Sequence, residues 1–154
     1  MFRKLLVVGL VLASIGFAQQ VSRGGGSPGG MMGAAPANKF DTIANALNLN
    51  KEQKKGVKTM LDDAAKEATP LREQLSKARV TIADAVQSKK SDDEITQGVN
   101  AYAALATQMS SLEANTFAKI YAGLDETQKA NKNGVSMVYA LMKNLFATKN
   151  WNED

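Results

Sequence analysis

A chain of 154 residues without a single cysteine or histidine, with 19 basic and 15 acidic side chains, excludes a disulfide framework and a cysteine-anchored lipoprotein. It also leaves no residue types for thiolate or imidazole chemistry. The formal charge of +4 overstates the balance, because Arg3 and Lys4 belong to a leader; taking those two from 19 leaves 17 basic residues against 15 acids, too even for a nucleic-acid binder.

In chain order, residues 1–18, MFRKLLVVGLVLASIGFA, combine a basic start, an apolar run from Leu5 to Phe17 and small residues at Gly16 and Ala18. That is the pattern of a secretory signal peptide cleaved near Ala18. The run is shorter than the roughly 20 apolar residues a span requires, so the expectation is a periplasmic protein with no membrane span in its mature chain. Residues 19–38, QQVSRGGGSPGGMMGAAPAN, bury too little apolar surface to order themselves and predict a disordered Gly/Ala-rich linker. Met31 and Met32 within it have no histidine beside them and make a poor metal site.

From Phe40 onward the composition is helical. A short first helix, around Lys39 to Leu47, precedes a long second one opened by Asn50. Steps of four and three then give Val57, Leu61, Ala64, Ala68, Leu71, Leu75, Ala78, Ile82 and Ala85, all apolar. This is a heptad seam in which alanines permit close backbone approach. Pro70 removes one donor inside this helix and predicts a bend. Ser91 and Glu94 form a capping box for a third helix starting at Asp92, with Ile95, Tyr102, Leu105, Met109 and Leu112 at seam spacing and an end near Gly123. The short connection at Lys89 to Ser91 predicts an antiparallel hairpin. A fourth helix opens at Asp125, with Asn133-Gly134 as a turn signal inside it and a stripe of Val138, Leu141, Met142 and Leu145 beyond.

One five-residue pattern occurs twice, as LNKEQ (Leu49 to Gln53) and LDETQ (Leu124 to Gln128). In each, a capping residue, Asn50 or Asp125, is followed three positions later by glutamine, and Gln53 and Gln128 complete capping boxes. Leu49 and Leu124 should pack inward at the turns. Two such pentapeptides bracketing a long hairpin, with TPLREQL at 69–75, resemble the LTxxQ motifs of the Spy/CpxP family of periplasmic stress proteins over residues 39–131. Asn50 and Asp125 replace the family's threonine and cap equally well. The resemblance implies an all-α, elongated four-helix chain that pairs as a cradle-shaped antiparallel homodimer. It divides the chain into a signal peptide (1–18), linker (19–38), helical domain (39–131) and an amphipathic C-terminal helix and tail (132–154).

Within the family the resemblance leaves three roles: an ATP-independent chaperone for unfolded or misfolded envelope proteins, a regulator docking on the periplasmic domain of a sensor kinase, and a metal-binding stress protein. The metal role is disfavoured by the absence of histidine and cysteine, and methionines 60, 109, 137 and 142 sit at helical spacing as core fillers. No enzyme, cofactor or nucleic-acid role is expected, since there is no phosphate-binding glycine loop and Asp62, Asp63, Asp92, Asp93 and Glu94 read as solvated or capping acids. For the chaperone, the flank of the second helix, Lys51, Lys58, Ala65, Arg72 and Arg79, edges the apolar seam with cations. Lys58, Met60, Leu61, Leu71, Arg72, Leu75 and Arg79 are the expected client-contact residues.

Overall fold

The computed structural model describes residues 38–153. The leader expected at 1–18, nearly all of the linker expected at 19–38 and its Met31-Met32 pair lie outside the described residues. Asn38, the last residue assigned to the linker, belongs to the first helix. Its Oδ1 accepts from the Asp41 backbone N–H at 2.8 Å and caps α1 (Lys39–Ala46). Asn48, at φ 50°, then turns the chain through a conformation that asparagine tolerates better than most residues, and the Leu49 N–H returns to the Ala44 carbonyl at 2.9 Å. Both expectations here, a short helix and a turn before Asn50, are met.

The second helix, α2 (Lys51–Gln87), spans 37 residues, about 55 Å at 1.5 Å per residue, and continues through Pro70. Lys89, at φ 51°, reverses the chain, and the Ser91–Glu94 box starts α3 (Asp92–Ala122). The two helices pack along their length as the predicted hairpin. The fold is all-α, with no strand among the described residues.

The fourth helix is divided, but not where the Asn133-Gly134 signal pointed. After α4 (Glu126–Ala130) the chain breaks at Asn131, whose side chain accepts from the Gly134 N–H at 3.1 Å and so caps α5 (Lys132–Met142). Gly134 lies inside the first turn of α5, and its glycine serves packing instead of turning. A Cβ there would collide with the Ala46 carbonyl oxygen at the end of α1, which also accepts from Asn131 Nδ2 at 3.1 Å. Past α5, Asn144 at φ 65° leads into a single 3-10 turn, Leu145–Ala147, and an irregular segment to Glu153.

All nine seam residues of α2 face inward, yet their burial falls along the helix. Val57, Leu61, Ala64 and Ala68 are buried, whereas Leu71, Leu75, Ala78, Ile82 and Ala85 are half-buried. The reason is thickness. At the base of the hairpin, Ile43 of α1 and Leu47 just after it, Val138 and Met142 of α5, and Leu145, Phe146 and Trp151 from the C-terminal segment all join the cluster around the seam. The distal half is two helices thick, and a pair of helices cannot enclose its own seam. Val80, Val86 and Val99 are correspondingly exposed.

Two glycines separate packing from propensity. Gly134→Ala should destabilise the protein by about 1–3 kcal/mol, because a backbone carbonyl has to move. Gly56→Ala, at an exposed site with nothing within 4 Å of the added carbon, should stabilise it by about 0.5–1 kcal/mol through helix propensity. Urea unfolding midpoints check both signs.

Candidate functional site

The repeated pentapeptides meet. The Asn50 and Asp125 side chains accept from the backbone N–H groups of Gln53 and Gln128 at 2.9 and 2.8 Å, and the glutamine Oε1 atoms accept from the Asn50 and Asp125 N–H groups at 3.0 Å each. Each glutamine then reaches the other copy. Gln53 Nε2 donates to Gln128 Oε1 at 2.8 Å and Gln128 Nε2 to Gln53 Oε1 at 2.9 Å. The second hydrogens go to the carbonyls two residues before the opposite cap, Gly123 at 3.2 Å and Asn48 at 3.0 Å. Both amides are thereby saturated, with two bonds accepted and two donated. Leu49 and Leu124 are buried beside them. Capping accounts for each motif alone; the pairing across 75 residues had no signal in the sequence except the repetition.

The expected client-contact residues do not form one continuous surface. Leu61 is fully buried and therefore cannot contact a client in this conformation: it lies in the core cluster that Leu145, Phe146 and Trp151 of the C-terminal segment also join, packing that no periodicity in α2 could reveal. Lys58 is exposed and paired with Asp62 at 2.7 Å. Met60, 37% exposed, stands at a separate pocket with Asp63, Glu67 and Lys119. Leu71 and Leu75 are half-buried against the core. Arg72 donates to the Phe146 carbonyl at 3.0 Å and to Thr69 Oγ1 at 2.7 Å. Arg79 donates to the Tyr102 hydroxyl at 2.7 Å, with its guanidinium 5.2 Å from the ring centroid. Three of the seven, Arg72, Leu75 and Arg79, do converge on a cavity of about 380 Å³ between α2 and α3, which Val80, Tyr102 and Met109 also line. Two guanidinium groups thus border a lining that mixes apolar side chains with Ser76, Ser110 and Asn144.

At the edge of the same cavity lies a group missed in the sequence. Glu113 of α3 is 6% exposed and its Oε1 is buried without a hydrogen-bond partner. Burial pushes its carboxyl above the usual carboxylate range, although the nearby backbone amides of Asn144, Phe146 and Leu145 pull the other way. Helical spacing could have exposed it, since Glu113 stands four residues beyond buried Met109 and three before buried Thr116.

The described residues do not fit a heavy-metal centre. No three acidic, cysteine or histidine side chains are grouped among them; Met109 and Met142 are buried in the core, while Met60 and Met137 are exposed on different helices. No described helix is long and apolar enough to cross a membrane.

Comparison with known proteins places this clasped helical hairpin in a class of stress proteins. A family model for heavy-metal resistance proteins matches residues 4–131, and the chain belongs to that family, which is helical and related to the Spy/CpxP group. No curated protein and no solved structure matches the chain.

Removing either clasp glutamine leaves partners unsatisfied. Gln128→Ala, at a buried site, should cost about 2–3 kcal/mol and Gln53→Ala about 1–2 kcal/mol. The double variant should fall short of the sum by about 1 kcal/mol or more, as interacting pairs do. A double-mutant cycle in urea measures this.

Glu113 gives a pH signature. Its folded carboxyl titrates above the unfolded one, so the folded state binds more protons, and the stability difference from the Glu113→Gln variant should widen to the parent's disadvantage as pH rises from about 4.5 through the folded value. Below the unfolded value the two curves should run parallel. Unfolding midpoints of both proteins across that range provide the check.

Proposed function

We propose that this chain is an ATP-independent chaperone of the periplasm, working as a homodimer, that holds unfolded or misfolded envelope proteins and limits their aggregation. The observation that carries this reading is the cavity between α2 and α3, where Arg72 and Arg79 border Leu75, Val80, Tyr102 and Met109. Apolar contact without strict geometry suits clients of varied sequence, and the exposed cations hasten encounter. Half-covered seam and exposed valines on the distal hairpin offer apolar surface for a second copy as well as for clients.

Family membership fits this reading through a consequence of metal stress. Heavy-metal ions unfold proteins by seizing their thiolates and imidazoles. A chaperone without either group protects those proteins and is itself a poor target.

The experiment is light scattering of a model client at near-equimolar mature protein without ATP. Aggregation should be suppressed equally when provoked by dilution from denaturant and when provoked by zinc ions, and sedimentation should give twice the chain mass. Protection against zinc-provoked aggregation alone overturns the chaperone reading in favour of metal sequestration.

A further inference from the structure

The segment from Lys143 to Glu153 lies over the face of α2 that the sequence marks for client contact. Its three large apolar side chains, Leu145, Phe146 and Trp151, are buried, Phe146 completely, in one cluster with Val57, Leu61, Ala64 and Ala68. Polar contacts fasten it at intervals. Arg72 Nη1 donates to the Phe146 carbonyl at 3.0 Å, and Trp151 Nε1 donates to Asp62 Oδ1 at 3.2 Å. Asn152 Oδ1 accepts from the Phe40 N–H at 2.8 Å. Apart from one three-residue turn the segment has no regular structure. It is therefore held by inserted side chains and scattered hydrogen bonds, as a bound peptide is held in a groove. It also lies beyond residue 131, where the family match ends.

We propose that residues 143–153 are a resident substitute for client in the groove of α2. The groove accordingly takes unfolded segments that carry two adjacent bulky apolar residues and an aromatic five positions on, as Leu145, Phe146 and Trp151 are arranged, and a client enters by displacing the C-terminal segment. This deepens the chaperone reading and rests on it. Tethering gives the resident segment a high effective concentration, so free competitors bind only to the fraction of molecules with the groove open. The unpartnered Oε1 of Glu113, beside residues 144–146, loses its hydration when the segment is seated, a cost that the backbone amides of Asn144, Leu145 and Phe146 offset only in part. The charged groups near it are Arg72 and Arg79 of α2 around the shared cavity and Lys143 after α5.

Trp151 is the only tryptophan and is buried, so its emission reports whether the segment is seated. The test uses the full mature chain and a synthetic peptide of residues 143–153 carrying Trp151→Phe, which is invisible at tryptophan wavelengths. The peptide should red-shift the emission saturably, and a version with Leu145→Ser and Phe146→Ser should not. A Lys39→Cys/Asn152→Cys pair, placed where the Lys39 N–H meets the Asn152 carbonyl at 3.4 Å, should when oxidised abolish both the shift and most capture of a denatured client, with reductant restoring them. Equal capture by locked and unlocked protein, with emission unchanged, overturns the proposal and leaves the chaperone reading intact. A saturable shift in protein that captures no client upholds displacement from the groove and overturns the chaperone reading.

Discussion

The reciprocal amide pair of Gln53 and Gln128 is the contact on which the rest of the structure depends. α2 and α3 meet along a seam in which four of nine α2 positions are alanine, so apolar contact there carries little direction of its own. The paired amides supply direction. Each glutamine closes the first turn of its own helix, holds the other glutamine, and occupies the carbonyl of the turn leading into the opposite cap. The start of α2 is thus fastened to the turn after α3. A neutral pair of saturated amides does this without the desolvation cost of an ion pair, and it keeps its strength across pH.

Once the base is closed, the remaining elements have somewhere to pack. α1 and α5 bracket it, with the Ala46 carbonyl held by Asn131 and approached closely by Gly134. The C-terminal segment then covers the first half of the α2 seam. Stability is concentrated at this end, since burial of apolar side chains is the dominant favourable term and nearly all fully buried ones lie here. The distal hairpin remains a pair of helices with half-covered apolar residues. Such a gradient lets the distal hairpin open locally at lower cost than the base.

Cations that would edge an open groove in isolation are committed internally. Arg72 secures the C-terminal segment, Arg79 lies on Tyr102, and Lys58 is paired with Asp62. Their charge still reaches solvent, so they contribute to the field around the hairpin, but Arg72 has a structural duty that a flank position on a helical wheel does not disclose. The chain belongs to a heavy-metal resistance family yet has no thiolate or imidazole, and among the described residues no three acidic side chains are grouped for a metal.

What the sequence alone determined is what local chemistry and helical period can express. Asn50, Ser91 and Asp125 with their partners three residues on placed the helix starts, the apolar seam identified the inward face of α2, and the short connection at Lys89 to Ser91 set the hairpin. Tertiary structure decided the rest. Gly134 reads as a turn until Ala46, from a helix far earlier in the chain, is seen to need the space of its missing side chain. Leu61 reads as an available groove residue until residues 143–153 are found above it. Gln53 and Gln128 read as two independent caps, and only the folded chain shows them sharing their amides. In each case the deciding partner is distant in sequence. Capping and periodicity act within a turn or a few turns of one helix, whereas occupancy of a face or of a hydrogen-bond acceptor depends on which segment arrives from elsewhere.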